Sequence, residues 1–235
     1  MIESNIEHLY TTKDVARVRD KLKQDQNNID PITGLEIPDK QAVLTVYGVG
    51  YVLTEPTKVN YIQQKEYKLW TSMLGRCYDP IMLAKMPTYK GCTVSETFKC
   101  YDNFARWCRK QVGFGVEGFS LDKDLLSGSS KVYSEATCCF LPRAINSCLV
   151  ANKRRRGSLP IGVTFHKQHK RFMASLRMPK EGSKHLGYFD TPEDAFKAYK
   201  LAKEVYVKFL AEKFKSEIDV KAYKALLEWE VHFDD

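Results

Sequence analysis

The chain has 235 residues, of which 43% are hydrophobic and 28% are charged, so it is long enough to bury more than one core and its composition excludes wholesale disorder. Its formal net charge is +8, which favours an acidic partner such as nucleic acid. It has no apolar run of membrane-spanning length, so the sequence predicts neither a membrane span nor a membrane partner.

The start of the chain and its seven cysteines indicate the cellular compartment in which the protein is expected. The first residues lack the basic-then-apolar order of a secretory signal, and an odd number of cysteines argues against a disulfide framework. Both features favour a cytoplasmic location. The cysteine spacings do not match the short pairs of a zinc site, so we expect no zinc and buried thiols that pack as small hydrophobic side chains.

The residue patterns predict an α+β fold class made of several small domains. The expected domains are an N-terminal helix-hairpin module (1–60), a ββα middle domain (61–150), a three-stranded antiparallel sheet backed by one helix (151–215) and an acidic helix or tail (216–235). The polar segment 151–158 is expected to be an exposed linker.

In the first block, residues 11–22 predict a helix and residues 42–53 a β-hairpin. The segment Pro31–Gly34 after the helix faintly resembles the opening of phage recombination endonuclease VII. That family has a Cys before the Pro, where this chain has Asp30, and an Asp-His pair that this chain lacks. The resemblance implies a block without its metal structure or catalytic pair, and we expect it to bind a protein or flank DNA.

The middle region predicts two amphipathic helices, one opening near Trp70 and one at Tyr101–Gln111. They are followed by a strand at 121–126, a loop, a strand at 137–141 and a helix that starts at Pro142. The predicted order of the domain is therefore strand, loop, strand, helix.

This order, with the strings Asp122–Asp124, Thr137-Cys138 and Ile145-Asn146, resembles the ββα core (the His-Me finger) of phage HNH-type homing endonucleases. The resemblance implies that Asp122, Asp124 and Asn146 occupy catalytic positions, and that Asp122 and Asp124 are the candidate metal ligands. Carboxylate and amide oxygens suit a hard cation, so Mg²⁺ is the expected cofactor if nuclease activity is retained.

The general base of that family is absent, so the expected finger is degenerate. An active enzyme has a histidine at the end of the first strand, where this chain has Lys123, and no histidine lies between His8 and His166. A lysine flanked by two acids is held in its charged form and is a poor base. We therefore expect a fold without hydrolysis, while a structural role for the two aspartates as turn acceptors and for the asparagine as a helix-surface residue stays open.

The last domain predicts strands at Ile161–His166, Arg171–Met178 and Lys184–Asp190, each with one apolar face, in an antiparallel meander. Thr191 is the expected N-cap of the helix behind them. The helix stripe expected to pack on the sheet consists of Ala195, Tyr199, Ala202, Tyr206 and Phe209.

Residues 151–190 carry ten Lys and Arg against Glu181 and Asp190, a balance of +8 that equals the net charge of the whole chain. Cations and donors on the outer face of a small sheet suit the DNA major groove, whereas a merely solvated basic face is the alternative. The residues expected to bind DNA are Arg154, Arg155, Arg156, Thr164, His166, Lys170, Arg171, Ser175, Arg177 and Lys184.

The strings Ile161–Phe165, Arg171–Leu176 and Leu186–Tyr199 resemble the APETALA/ethylene-response-type DNA-binding domain. That domain reads the major groove with three strands backed by one helix, and in phage genes it is usually appended to HNH-type homing endonucleases. The combined resemblance implies a phage protein that acts in the cytoplasm of a bacterial host cell, with double-stranded DNA as its partner.

Three functions stay open. The first is a duplex DNA-binding protein derived from an HNH homing endonuclease, without hydrolytic activity. The second is an active metal-dependent endonuclease, and the third is a host-takeover or anti-defence protein that contacts a host protein through its first block and acidic end. The missing histidine and the basic sheet favour the first, and the sequence leaves the oligomeric state open.

Overall fold

A computed structural model describes residues 46–128, 130–149, 159–179 and 182–233. The predicted helix at 11–22, the first part of the hairpin at 42–53 and the linker at 151–158 lie outside the described residues. Helices and small sheets alternate along the described chain, so the predicted mixed α+β class is confirmed. None of the described helices combines the length and the apolarity needed to cross a membrane.

The described strands are β1 (Lys58–Val59), β2 (Ile62–Gln63), β3 (Thr93–Val94), β4 (Phe119–Asp122), β5 (Val132–Tyr133), β6 (Cys139–Pro142), β7 (Val163–His166), β8 (Arg171–Met178) and β9 (Gly182–Phe189). The described α-helices are α1 (Lys65–Tyr78), α2 (Pro80–Lys85), α3 (Glu96–Lys99), α4 (Tyr101–Lys110), α5 (Asp124–Ser127), α6 (Arg143–Leu149), α7 (Pro192–Lys213) and α8 (Val220–Glu228). They divide into two compact units. Unit 1 takes the described residues within Met1–Phe114 and Ser127–Cys138, and unit 2 those within Gly115–Leu126 and Cys139–Asp235.

Unit 1 is mainly helical and has an aromatic core. The amphipathic helices α1 and α4 bury Trp70, Phe104 and Cys108, which confirms both predicted helices. The Trp70 ring lies 5.5 Å from the Tyr101 ring, and its indole N–H donates to the Phe98 carbonyl at 2.7 Å. The hairpin of β1 and β2 and the parallel pair of β3 and β5 belong to the same unit.

Unit 2 contains a two-stranded and a three-stranded sheet. β4 pairs antiparallel with β6, and α6 follows β6 directly, as the predicted order requires. β4 nevertheless ends at Asp122, where a strand was expected to continue to residue 126, because the Asp122 carboxylate caps the helical turn α5. β7, β8 and β9 form the predicted antiparallel meander with β8 in the centre, and α7 packs against it.

Helix α7 begins as predicted and buries most of the expected stripe. The Thr191 hydroxyl accepts from the Asp194 N–H at 3.2 Å, which confirms the N-cap. Phe209 was expected in the stripe but is 54% exposed, whereas Leu210 is 4% exposed. A turn of 3.6 residues lets the buried face continue three or four positions after Tyr206, and here it continues at four.

The helix approaches the sheet closely at Gly162, just before β7. A Cβ atom at this position would lie 2.0 Å from Cδ2 of Tyr199, and the φ angle of Gly162 is +76°. Both the space and the backbone conformation therefore require glycine, which fixes where the helix sits on the sheet.

A single core joins α6, the three-stranded sheet, α7 and α8. Ile145 of α6 and Leu226 of α8 lie in the same buried cluster as Val163 and Tyr199. Lys203 of α7 is 6% exposed, and its ammonium donates to the Cys148 carbonyl in α6. The predicted domain boundaries after residues 150 and 215 therefore do not divide the compact units, because two short strands and one helix offer too little apolar surface for a core of their own.

All seven cysteines are buried, which confirms the expectation that they pack as small hydrophobic side chains. Cys139 and Cys148 belong to the core of unit 2. Burial also raises the pKa of the Cys148 thiol. This thiol is therefore part of the packing of unit 2.

Candidate nucleic-acid interface

The side of the three-stranded sheet opposite α7, which we call the outer face, is defined by strand register. Ala174 and Val163 are paired and buried against α7, so the alternate positions point outward. Met173 stands between Thr164 on β7 and Tyr188 on β9. The outward positions of the three strands are Thr164, His166, Arg171, Met173, Ser175, Arg177, Ser183, His185 and Tyr188.

A β-bulge between Ala174 and Ser175 changes which residues of β9 reach the outer face. Ala174 pairs with Gly187, but Ser175 pairs with His185, so the alternation along β9 reverses at this point. Lys184 consequently pairs with the buried Leu176 and lies on the helix side of the sheet, where it is exposed. The prediction placed Lys184 on the outer face, and the structure places His185 there instead.

Four rings form a cluster on this face around Tyr188. The ring centroids of His166, His169 and His185 lie 5.3, 4.6 and 4.7 Å from that of Tyr188. His166 and His169 also face each other at 4.6 Å. Histidine and tyrosine can both donate and accept hydrogen bonds and offer flat rings, so this cluster can contact either bases or phosphates. Sequence reasoning singled out only His166, although the spacing of His166 and His169 across a turn was available as a signal.

Two cations flank the ring cluster without a carboxylate partner among the described residues. Lys170 is exposed at the turn between β7 and β8, where its φ angle is +50°. Arg177 is exposed near the other end of β8. Thr164 is exposed and Ser175 half-buried between these ends. Among the described residues of the predicted set, Thr164, His166, Arg171, Ser175 and Arg177 thus take outward positions of the sheet, Lys170 lies at the adjacent turn, and Lys184 lies on the opposite side.

Arg171 is engaged with a carboxylate. Its Nε lies 2.8 Å from Oδ1 of Asp190, and the two side chains are 44% and 81% exposed. An exposed ion pair contributes about 0–1 kcal/mol, so a phosphate group can replace Asp190 at little cost. Because Arg171 would have to leave this carboxylate to contact a base, it is a weaker candidate for base contact than Arg177.

Arg154, Arg155 and Arg156 lie outside the described residues. Of the ten Lys and Arg counted in the basic segment, Lys167, Lys170, Arg171, Arg177 and Lys184 are described, and all five are exposed. The described cations of the segment are therefore solvent-facing, and one of them, Arg171, is in an exposed ion pair.

The expected catalytic position at the end of β4 is buried and structural. Asp122 is 7% exposed, and its Oδ1 accepts from the Asp124 and Leu125 N–H groups at 3.1 and 2.9 Å. Burial raises the pKa of this carboxyl despite those two hydrogen bonds. Lys123, where the resemblance would place a histidine, is 6% exposed and pairs with Asp124. The structural alternative for Asp122, a cap acceptor, is what the structure shows.

Asn146 completes the predicted catalytic set on α6, where it is half-buried. Its side-chain amide donates to the Ser120 hydroxyl at 2.9 Å. Within the described part of the chain, no group of three or more His, Cys, Asp or Glu side chains has a metal-binding arrangement. Because Asp122 caps a helix, Asp124 pairs with a lysine and Asn146 donates to a serine, these residues do not fit a Mg²⁺ site.

Comparisons with family models, with curated proteins and with solved structures found no match to this chain.

Proposed function

We propose that this chain binds double-stranded DNA through the outer face of its three-stranded sheet and does not hydrolyse it. The observation that carries the proposal is the composition of that face: Arg177 and the ring cluster around Tyr188 lie on the side away from α7, and Lys170 is exposed at the turn beside them. A small antiparallel sheet backed by a helix can place its other face in the major groove.

The electrostatics of the chain agree with this role. The net charge of +8 attracts a polyanion, and the basic segment 151–190 accounts for a balance of the same size. If about six cations contact phosphate, the logarithm of the affinity should fall against the logarithm of the salt concentration with a slope near −5. Arg177 is an exposed arginine of the outer face, and an arginine can make bidentate contact with a guanine.

The absence of hydrolysis is proposed from the end of β4. Water activation needs a general base with access to solvent, and the side chain in that position is a buried lysine paired with Asp124. The resemblance to phage HNH-type homing endonucleases with an APETALA/ethylene-response-type domain then suggests a lineage: a binding protein that kept the DNA-reading sheet and lost the chemistry.

The proposal is tested with a matched pair of double variants. Lys170→Gln with Arg177→Gln removes two cations from the outer face, and Lys221→Gln with Lys224→Gln removes two exposed cations from α8 in the same unit. Fluorescence anisotropy with a labelled duplex should show about a tenfold or larger loss of affinity for the first variant, since one base-reading arginine contributes about 1–3 kcal/mol.

The control variant has the same net charge, so a general electrostatic effect would weaken both variants equally. Equal affinities of the two variants would overturn the sheet-face proposal. Nicking of supercoiled plasmid by the wild type in magnesium or manganese, lost in Asp122→Ala, would overturn the proposal that hydrolysis is absent.

A further inference from the structure

The hairpin of β1 and β2 in unit 1 has an unusual turn. Val59 pairs with Ile62, so the loop between the strands consists of Asn60 and Tyr61 alone. Their φ angles are +49° and +64°, and two positive φ angles in a two-residue hairpin loop are typical of a type I′ turn. Such turns favour Asn followed by Gly. Asn60 suits its position, whereas Tyr61 occupies the position of the glycine.

Packing does not compensate for this strain. A side chain other than glycine costs free energy at positive φ, because its Cβ crowds the backbone. The Tyr61 side chain is 100% exposed, so it gains no burial in return among the described residues. Val59 and Ile62 beside it are 48% and 68% exposed. The chain therefore presents an aromatic ring with two aliphatic neighbours at the tip of a projecting hairpin.

The charge around the tip is positive. Lys58, Lys65 and Lys68 are exposed on the hairpin and on the first turn of α1. The two acids nearest in sequence are both engaged by Arg109: its Nε lies 2.8 Å from Glu66, and its terminal nitrogens lie 3.1 and 3.0 Å from the Glu55 carboxylate. Exposed positive charges therefore lie on the hairpin and beside its tip.

We propose that the tip of this hairpin, residues 58–63, is a second DNA contact, in which Tyr61 enters the duplex at a base step and stacks on a base. Aromatic and aliphatic side chains act as wedges between base pairs, and lysines beside the wedge neutralise the phosphates on either side. Charge complementarity favours DNA over a protein as the occupant. The inference rests on the proposed function, since it takes duplex DNA as the ligand.

The test compares two labelled duplexes of the same sequence, one intact and one with a single unpaired adenine. An unpaired base is already partly unstacked, so the duplex that carries it lowers the cost of inserting a ring. The wild type should bind the bulged duplex about tenfold more tightly than the intact one, in line with the stabilisation from base–aromatic stacking. Tyr61→Phe should keep this preference.

Tyr61→Gly is the decisive variant, because it separates binding from folding. Glycine suits the positive φ of this position, so the midpoint of thermal unfolding should not fall. The preference for the bulged duplex should nevertheless disappear. Retention of the full preference by Tyr61→Gly would overturn the inference, and so would an absence of preference in the wild type.

The sheet-face variant in the same assay distinguishes the two proposals. If Lys170→Gln with Arg177→Gln weakens binding while Tyr61→Gly binds both duplexes as the wild type does, the inference fails and the proposed function stands. If the preference depends on Tyr61 while the sheet-face variant binds as well as its control, the sheet-face proposal fails and the hairpin contact stands. No binding of either duplex by the wild type overturns both.

Discussion

The outer face of the sheet and the end of β4 lie in the same unit, yet they use polar side chains in opposite ways. Arg177 on the outer face and Lys170 at the turn beside it are exposed and carry no carboxylate partner among the described residues. At the end of β4, the Asp122 carboxylate is buried and caps a helical turn, and Lys123 is paired. Ligand binding needs polar groups with unused hydrogen-bonding capacity, so we propose the outer face as the functional surface, whereas the Asp122 carboxylate serves the structure of the chain.

Asp102 in unit 1 is a buried carboxylate whose hydrogen-bond donors outweigh the effect of burial on its pKa. It accepts from the Leu53 N–H at 2.9 Å, from the Thr54 N–H and hydroxyl at 2.8 and 2.9 Å, and from the Glu55 N–H at 2.9 Å. Burial raises the pKa of this carboxyl, but the four hydrogen bonds outweigh that effect and lower the pKa below its usual range. Asp122 has two such donors and its pKa is raised. Desolvation and the nearby Asp124 carboxylate outweigh the two hydrogen bonds of Asp122, whereas the four hydrogen bonds of Asp102 outweigh its desolvation.

The largest expected effect is a loss of folding stability on substitution of Asp102. Asp102→Asn replaces one acceptor oxygen by an NH₂ group that faces backbone donors, and it should lower the free energy of unfolding by about 3 kcal/mol, since hydrogen bonds to a charged group contribute about 1.5–3 kcal/mol. The lowered pKa makes this contribution present above the unfolded-state pKa of about 3.9 and lost as the pH falls through the folded-state pKa. Denaturant unfolding at several pH values measures the effect, and a difference that stays constant below pH 4 would contradict it.

A smaller loss of stability is expected for Asp122→Ala. The variant removes the acceptor for two backbone N–H groups, and loss of such a cap costs about 1 kcal/mol. The affinity of the folded variant for duplex DNA should equal that of the wild type, because Asp122 lies outside the outer face. Anisotropy titrations beside thermal unfolding separate the two quantities, and a variant of full stability with lost DNA binding would assign Asp122 to the site.

The β-bulge predicts that His185 contributes more to DNA binding than its neighbour Lys184. His185→Gln should weaken DNA binding by about 2- to 10-fold, since one hydrogen bond contributes about 0.5–1.5 kcal/mol, while Lys184→Gln should change the affinity less despite removing a full charge. The measurement is the dissociation constant of each variant for the same duplex. The reverse order of effects would place Lys184, not His185, against the DNA.

The smallest expected effect is on the unfolding temperature of Asp122→Asn. The raised pKa of Asp122 determines whether this temperature rises or falls. A raised pKa means that the folded state disfavours the ionised carboxyl, so stability is lost as the pH rises from the unfolded-state pKa through the folded-state pKa. Asparagine keeps the acceptor oxygen and carries no charge. The variant should therefore unfold at a slightly higher temperature than the wild type at pH 7 and at the same temperature near pH 4. A lower unfolding temperature at pH 7 would mean that the charge itself stabilises the fold.

Local patterns in the sequence predicted the elements of unit 2 well and the surfaces less well. Thr191 and its helix follow from capping and spacing, which depend on neighbouring residues alone. The placement of Lys184 depends on a bulge opposite Ala174, which single-strand alternation does not reveal. The hairpin at 58–63 was not predicted, because Tyr61 stands where the usual turn signal has glycine.

The roles of the predicted catalytic residues could not be determined from the sequence either. The resemblance predicted catalytic positions at Asp122 and Asn146, but only the structure shows that the Asp122 carboxylate caps α5 and that Asn146 donates to Ser120. The predicted boundary after residue 150 does not coincide with a limit of the compact units, since residues on both sides of it share one core. A sequence shows which faces are apolar but not which other face covers them.

Backbone amide and histidine ring signals of the ¹⁵N-labelled protein, followed by NMR while an unlabelled duplex is added, would locate the DNA on the molecule. The signals of His166, His185, Tyr188 and Arg177 should shift first and furthest, while those of Asp122 and Asn146 should stay in place. Shifts centred on Asp122 and Asn146, or on the exposed side of α7, with the outer face unchanged, would contradict the proposed mode of binding.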